Sequence, residues 1–260
     1  MGGLSDAEVT ECVEQLMGAA RTAVPIERFV HEPTTVDDGY RIQAATHRLR
    51  SDRPVGWKAG CTSAAAQAML QVESPLAGRY HANAVHDAPA QLLIDDFATP
   101  PHLEVEVGLR LLADLDGAPA DPLELAAIVD VFAAIEVVAA RLSAFPLIGA
   151  AQLAADNVVG GAMVVGDDLG IGVDAIRSLD TVPVELVIDG ELQVAATGAE
   201  ALGHPLTVLS WMSDHARSAG QPLRAGDLVI TGTCTGLVPA RRGSVHVGRV
   251  GDVAAQLAFD

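Results

Sequence analysis

Leu103-Glu104-Val105-Glu106-Val107 places the tightest constraint on what this 260-residue chain can become. Apolar and acidic residues alternate there with the period of a β-strand, whose successive side chains point to opposite faces. Leu103, Val105, Val107 and Leu109 therefore define one apolar face, and Glu104 and Glu106 share the other. Adjacent parallel carboxylates repel, and burying them unpaired is costly. Two arrangements satisfy the pattern. One is a solvated strand face. The other is a buried face on which a hard divalent cation removes the repulsion, since Mg²⁺ and Mn²⁺ prefer oxygen ligands. Glu136 bears on the choice, because it interrupts the otherwise apolar run Ala133-Ala134-Ile135-Glu136-Val137-Val138-Ala139. A glutamate in such a run lies at an element's edge or is held by a partner. If it meets Glu104 and Glu106, three carboxylates form an oxygen site with positions left for water or a chelating substrate, which suits Mg²⁺.

Composition narrows the remaining classes. Half of the residues are apolar, enough for one substantial core in one domain, or in one domain with a smaller appendage. The 34 acidic residues against 16 basic ones give a formal charge of −18. That sign repels phosphate backbones, so nucleic acid is not an expected partner, and no Lys/Arg run offers a grip on an anionic membrane. The start of the chain, MGGLSDAEVTECVEQL, is acidic and amphipathic and lacks the pattern of a signal peptide. No apolar run reaches membrane-spanning length, and a cytoplasmic setting is expected. Cys12, Cys61 and Cys234 are dispersed, which argues against a disulfide framework or a zinc ribbon and for reduced thiols. The histidines show no H-x-H or H-E-x-x-H spacing, so zinc chemistry is disfavoured. Neither a dinucleotide or Walker glycine motif nor a G-x-S-x-G elbow is present.

The chain divides by pattern. Ser5-Asp6-Ala7-Glu8 is a capping box ahead of an amphipathic helix over roughly 6–21. A second helix is predicted over Val36–Leu49, and a third, capped by Thr62 or Ser63, through Leu70. Pro54 to Gly60 reads as a strand end or turn. From about residue 80 strands dominate. Asp121 to Phe132 is helix-like, Ile135 to Ala139 has strand character, and Val184 to Ala195 is a hairpin turning at Asp189-Gly190. Pro205 to Arg217 is a helix closed near Gly220; Leu228–Thr231, Ser244–Val250 and Asp252–Phe259 are strands. The organisation expected is a helical N-terminal region, 1–80, on a mostly β catalytic domain, 81–260.

Other residues could carry chemistry. Lys58, between Trp57 and Ala59 and flanked by glycines, either neutralises a substrate carboxylate or enolate or extends to solvent. Asp156-Asn157 precedes a glycine turn and either binds or shapes that turn. Thr231-Gly232-Thr233, following an apolar strand, can hold a carboxylate through hydroxyl and backbone N–H groups. His204 reads as structural.

Several stretches together resemble a known family. They are Gly56-Trp57-Lys58-Ala59-Gly60-Cys61-Thr62-Ser63, Leu103–Val107, Ile135-Glu136-Val137-Val138, Ala155-Asp156-Asn157, Leu202-Gly203-His204-Pro205-Leu206 and Gly226–Thr233. Each is weak alone; in order over nearly the whole chain they are similar to the 2-keto-4-pentenoate hydratase branch of the fumarylacetoacetate hydrolase superfamily. The resemblance implies an α+β fold, a mixed β-roll with a helical N-terminal region. It implies Mg²⁺ or Mn²⁺ on Glu104, Glu106 and Glu136, a small 2-oxo acid chelated through carboxylate and keto oxygens, and Lys58 beside that substrate. Asp156, Asn157, Thr231, Gly232 and Thr233 become substrate-binding candidates. The implied activity is a lyase of the hydratase type, adding water to a 2-hydroxypentadienoate-type dienol. Related activities are 4-oxalocrotonate-type decarboxylation and, more distantly, acylpyruvate or fumarylacetoacetate C–C hydrolysis; a non-catalytic ligand-binding homologue is the remaining alternative. A homo-oligomer is the family tendency. One departure stands out: hydratases of this branch carry an acid before an aromatic-Gly pair, in the segment matching Glu73–Gly78, and here that position is Leu76. An acid there would be a natural proton shuttle for hydration.

Overall fold

The computed structural model describes residues 3–260. Helix α1 spans Asp6–Thr22 and starts at the capping box read from the sequence: the Ser5 N–H donates to the Glu8 carboxylate (2.7 Å) and the Glu8 N–H donates back to Ser5 Oγ (3.4 Å). Its stripe of Val9, Cys12, Val13 and Leu16 is buried. Helix α2, Val36–Arg48, is capped by Thr35. Gln43 on α2 donates from Nε2 to the carbonyls of Ala77 and Ala154, both at 2.9 Å, and so ties the helical layer to the strands beneath.

Strand β1 is Pro54–Gly60. The short helix α3, Ala64–Leu70, comes next with Ser63 as its cap, and β2 is Leu76–His81. After β3 (Val85–Asp87) and β4 (Ala90–Leu92) comes the long strand β5, His102–Leu111. Pro122–Ile128 then forms a 3₁₀ turn and the chain passes directly into β6, Val129–Val138. The expectation of a helix reaching Phe132 is therefore corrected. Asp121 and Pro122 are helix-starting residues, but the run from Val129 onward pairs along the full length of β5, and cross-strand pairing overrides local propensity. Pro54–Gly60, read as a strand end or turn, is a complete strand for the same reason: β2 and a later strand flank it on both sides.

Helix α4 (Ala150–Ala155), strand β7 (Gly160–Asp168) and helix α5 (Val173–Ile176) precede the hairpin of β8 (Pro183–Ile188) and β9 (Glu191–Thr197). Helix α6 covers Pro205–Ser218. Strands β10 (Leu228–Ile230), β11 (Val238–Pro239), β12 (Val245–Val250) and β13 (Val253–Phe259) complete the chain.

The strands form two sheets. The larger runs β2-β1-β10-β5-β6-β7-β3, with β11 also on β5; the smaller runs β4-β13-β12-β8-β9. The larger sheet curls until its β2 edge meets β7, where the Tyr80 hydroxyl reaches the Ala162 carbonyl at 3.3 Å. Alternation then sorts the side chains. Trp57, Val105, Val107, Leu109, Ile135 and Val137 point outward into the main core, against Leu186, Leu257 and Phe259 of the smaller sheet and Leu206, Leu209 and Met212 of α6. Tyr80, Phe132, Ala134, Met163 and Ile230 fill the inside of the curl. The even-numbered residues of β5 face inward with them, and among these are Glu104 and Glu106. Among the described residues no helix is long and apolar enough to cross a membrane.

The two sheets approach most closely at Gly248 on β12, where a Cβ would stand 2.8 Å from Ile135 Cγ1 and 2.9 Å from Val105 Cγ2. Gly248→Ala should lower folding stability by about 1–3 kcal/mol, the usual cost of overpacking a closed core, as read from urea unfolding.

Candidate metal and substrate site

Strand register assembles the three glutamates. Glu104 on β5 lies directly opposite Glu136 on β6, and Glu106 lies one pleat farther into the curl. One carboxylate oxygen from each falls within 4.8 Å of the others. Glu106 and Glu136 are fully buried, and Glu104 is partly so. The solvated-face arrangement is thus excluded.

Each buried carboxylate has one oxygen engaged and one left over. Glu106 Oε2 accepts the Gly232 N–H at 2.6 Å. Glu136 Oε1 accepts from Lys58 Nζ at 2.6 Å and from the Tyr80 hydroxyl at 2.7 Å. Glu106 Oε1 and Glu136 Oε2 are buried without a hydrogen-bond partner. Burial, with Glu136 adding to it, pushes Glu104 up to about 7; burial, followed by Glu136 and Glu104, holds Glu106 well above the ordinary carboxylate range. Orphaned carboxylate oxygens converging in a largely buried site fit a hard divalent cation, which removes both the repulsion and the unmet hydrogen-bonding capacity.

Lys58, on the inward face of β1, is almost wholly buried. Burial alone would lower its pKa, but Glu136, Glu104 and Glu106 overcome that and raise it, so it stands as an ammonium. Nζ also donates to the Val158 carbonyl at 2.7 Å. That carbonyl is delivered by an uncommon turn: Asn157, Val158 and Val159 all have φ near +52°, a left-handed conformation that β-branched residues rarely adopt. The turn is pinned from both sides. Asn157 accepts the Arg79 N–H through Oδ1 (2.7 Å) and donates Nδ2–H to the Arg79 carbonyl (2.9 Å). Asp156 pairs with Arg141 (3.0 Å) and accepts its backbone N–H (2.7 Å). The strand opposite Lys58 requires Gly78, whose Cβ would lie 2.7 Å from the Asn157 carbonyl and 2.8 Å from Lys58 Cγ.

The sequence-selected residues therefore divide. Glu104, Glu106, Glu136 and Lys58 converge. The polar side-chain atoms of Asp156 and Asn157 are engaged with protein groups, as are the Gly232 N–H and the Thr231 hydroxyl, which donates to the Val107 carbonyl at 2.9 Å. Thr233 Oγ1 is buried without a partner. Leu76 is buried on the inward face of β2, two residue positions before Gly78, and packs into the α1/α2 cluster. His204 caps α6, its Nδ1 accepting the Leu206 N–H. Sequence reasoning passed over Tyr80, Arg141 and the Val158 carbonyl. Tyr80 offered one signal, a polar group on the same alternating face as Gly78; a main-chain carbonyl offers none. Tyr80, His47, Arg141, Asp156 and Gly160 also line a cavity of about 340 Å³ beneath α1 and α2; the three glutamates do not line it.

Removing Asp156 tests its place in this frame. Asp156→Ala should cost about 3–5 kcal/mol in urea unfolding, because the Arg141 cation loses its buried partner. A variant of normal stability with only a raised KM would instead make Asp156 a substrate contact.

A family model for the fumarylacetoacetate (FAA) hydrolase C-terminal region matches residues 58–257. The chain is 30% identical over 258 residues to the 2-keto-4-pentenoate hydratase of Paraburkholderia xenovorans strain LB400, covering 96% of this chain and 93% of that protein. It is 31% identical over 265 residues to the TodF product hydratase of Pseudomonas putida strain F1, covering 96% and 95%. Its fold matches that of the 4-oxalocrotonate decarboxylase from Pseudomonas putida G7, complexed with magnesium and adipate, with a TM-score of 0.88 over 99% of both chains at 24% identity.

Proposed function

We propose, from the premise that this chain belongs to the fumarylacetoacetate hydrolase family, that it is a lyase of the 2-keto-4-pentenoate hydratase type. Its substrate class is a small 2-oxo acid or the corresponding dienol. The observation that carries this reading is the convergence of Glu104, Glu106 and Glu136 with the Lys58 ammonium inside the curled sheet. Glu104, Glu106 and Glu136 would hold Mg²⁺ or Mn²⁺, which when bound supplies Lewis acidity toward the adjacent carboxylate and keto oxygens of a 2-oxo acid. Lys58, held 2.6 Å from Glu136, binds the substrate carboxylate or the oxygen on which negative charge grows, or assists proton transfer. The buried Thr233 hydroxyl, beside Glu104, is a further donor toward the site. Val158 and the inner apolar residues exclude bulk water, which strengthens each of these contacts.

Leu76 favours a second reading, 4-oxalocrotonate-type decarboxylation. A leucine at that position cannot pass a proton to carbon, whereas loss of CO₂ needs chiefly stabilisation of the charge left behind. The fold shared with the Pseudomonas putida G7 decarboxylase is compatible with this. Assembly into a homo-oligomer belongs to the same proposal.

The deciding experiment incubates the protein and Mg²⁺ with a panel of 2-oxo acids and their enols and weighs the products. Gain of water identifies a hydratase, and loss of CO₂ a decarboxylase. EDTA should abolish turnover and Mg²⁺ or Mn²⁺ should restore it; full activity of the metal-free protein would refute the site.

Lys58→Met keeps the stem and removes the charge. Turnover should fall by roughly two to three orders of magnitude, the effect of losing one preorganised charge contact. Mg²⁺ affinity, measured by calorimetry, should not weaken, since losing a neighbouring cation leaves the carboxylates more attractive to a metal. Wild-type kcat/KM in this variant would remove Lys58 from the reaction.

A further inference from the structure

The two donors on Glu136 Oε1 have different duties. Lys58 is the cation offered to substrate in the proposed reaction, so its hold on Glu136 is shared during turnover. Tyr80 has no such second duty. Its hydroxyl lies 2.7 Å from Glu136 Oε1, and its other acceptor within reach is the Ala162 carbonyl at 3.3 Å. Its ring is 1% exposed and packed with Phe132, Ala134 and Met163, so the hydroxyl cannot swing away. Gly160 leaves it room, for a Cβ there would stand 3.0 Å from the Tyr80 oxygen and 3.3 Å from Lys58 Cδ.

We infer that Tyr80 is a positioning residue for the divalent cation: its hydroxyl locks Oε1 of Glu136 and thereby presents the unpartnered Oε2 to the ion shared with Glu104 and Glu106. A carboxylate free to rotate about its last bond would offer either oxygen and lose affinity in proportion to the freedom surrendered on binding. A donor fixed by the core removes that freedom in advance, and it remains on Glu136 while Lys58 turns to substrate. Groups that orient a metal's ligands in this way are typically worth 10–100-fold in affinity. The inference rests on the reading that this site holds a divalent cation.

The test uses Tyr40 as its control. Tyr40 is likewise largely buried, and its hydroxyl accepts the Ala77 N–H at 2.9 Å on the same strand, but none of its hydrogen bonds is to a carboxylate. Mn²⁺ is titrated calorimetrically into the full-length wild type, Tyr80→Phe and Tyr40→Phe. Tyr80→Phe should bind roughly 10–100-fold more weakly, and Tyr40→Phe should bind as wild type even where its melting temperature falls. Wild-type affinity in Tyr80→Phe overturns the inference and leaves the metal reading standing. No binding by the wild type overturns both. An equal loss in both variants assigns the effect to strand packing and also overturns it. A second measurement does not depend on Tyr80→Phe folding. The chain has two tyrosines, so in Tyr40→Phe the ultraviolet resonance Raman signal of tyrosine reports Tyr80 alone. Saturating Mg²⁺ should shift that signal toward a weaker donated hydrogen bond, because the cation draws charge from Glu136. An unchanged signal overturns the inference.

Discussion

Three carboxylates and one ammonium share a largely buried space, and the rest of the molecule is arranged around that charge. Glu106 and Glu136 are fully buried and Lys58 nearly so. Removing one ion from water costs several kcal/mol even after relaxation, so each charge must be matched locally. The matches come from widely separated segments: Gly232 for Glu106, Tyr80 and Lys58 for Glu136, and Val158 for Lys58. One lysine cannot balance three carboxylates, and that residual imbalance is what a divalent cation would answer. The outer core needs none of this. It is apolar sheet-on-sheet and helix packing, and it supplies the rigidity that keeps the inner charges in register.

The glutamate strand is legible in the sequence because a strand's period is two and one face of β5 is wholly apolar. That pattern fixes which residues share a face without knowledge of the partner strand. Helices with clear caps, α1 and α6 among them, are legible for a similar reason, since the signal is complete within a few residues. Val129–Phe132 reads wrongly as the end of a helix. Asp121-Pro122 announces a helix start, and only the pairing with β5 makes the chain beyond Ile128 a strand.

The features that stay hidden depend on strand order. Tyr80 reaches Glu136 because β2 closes the curl against β7, a juxtaposition set by the whole path β2-β1-β10-β5-β6-β7 and by no local motif. Arg141 and Asp156 meet across a loop for the same reason. Gly78 and Gly160 read as ordinary turn or strand glycines until the lysine stem and the tyrosine hydroxyl are seen to fill the space beside them.

The left-handed turn at 157–159 has an evolutionary consequence. Lys58 is anchored there by a peptide oxygen, so its anchor belongs to the shape of the chain and is not encoded in the identity of residue 158. Exchange at that position alters packing in the α1/α2 cluster without removing the oxygen that holds the lysine. What the anchor demands of residue 158 is its left-handed backbone, so proline, whose ring forbids a positive φ, is the exchange that would release the lysine.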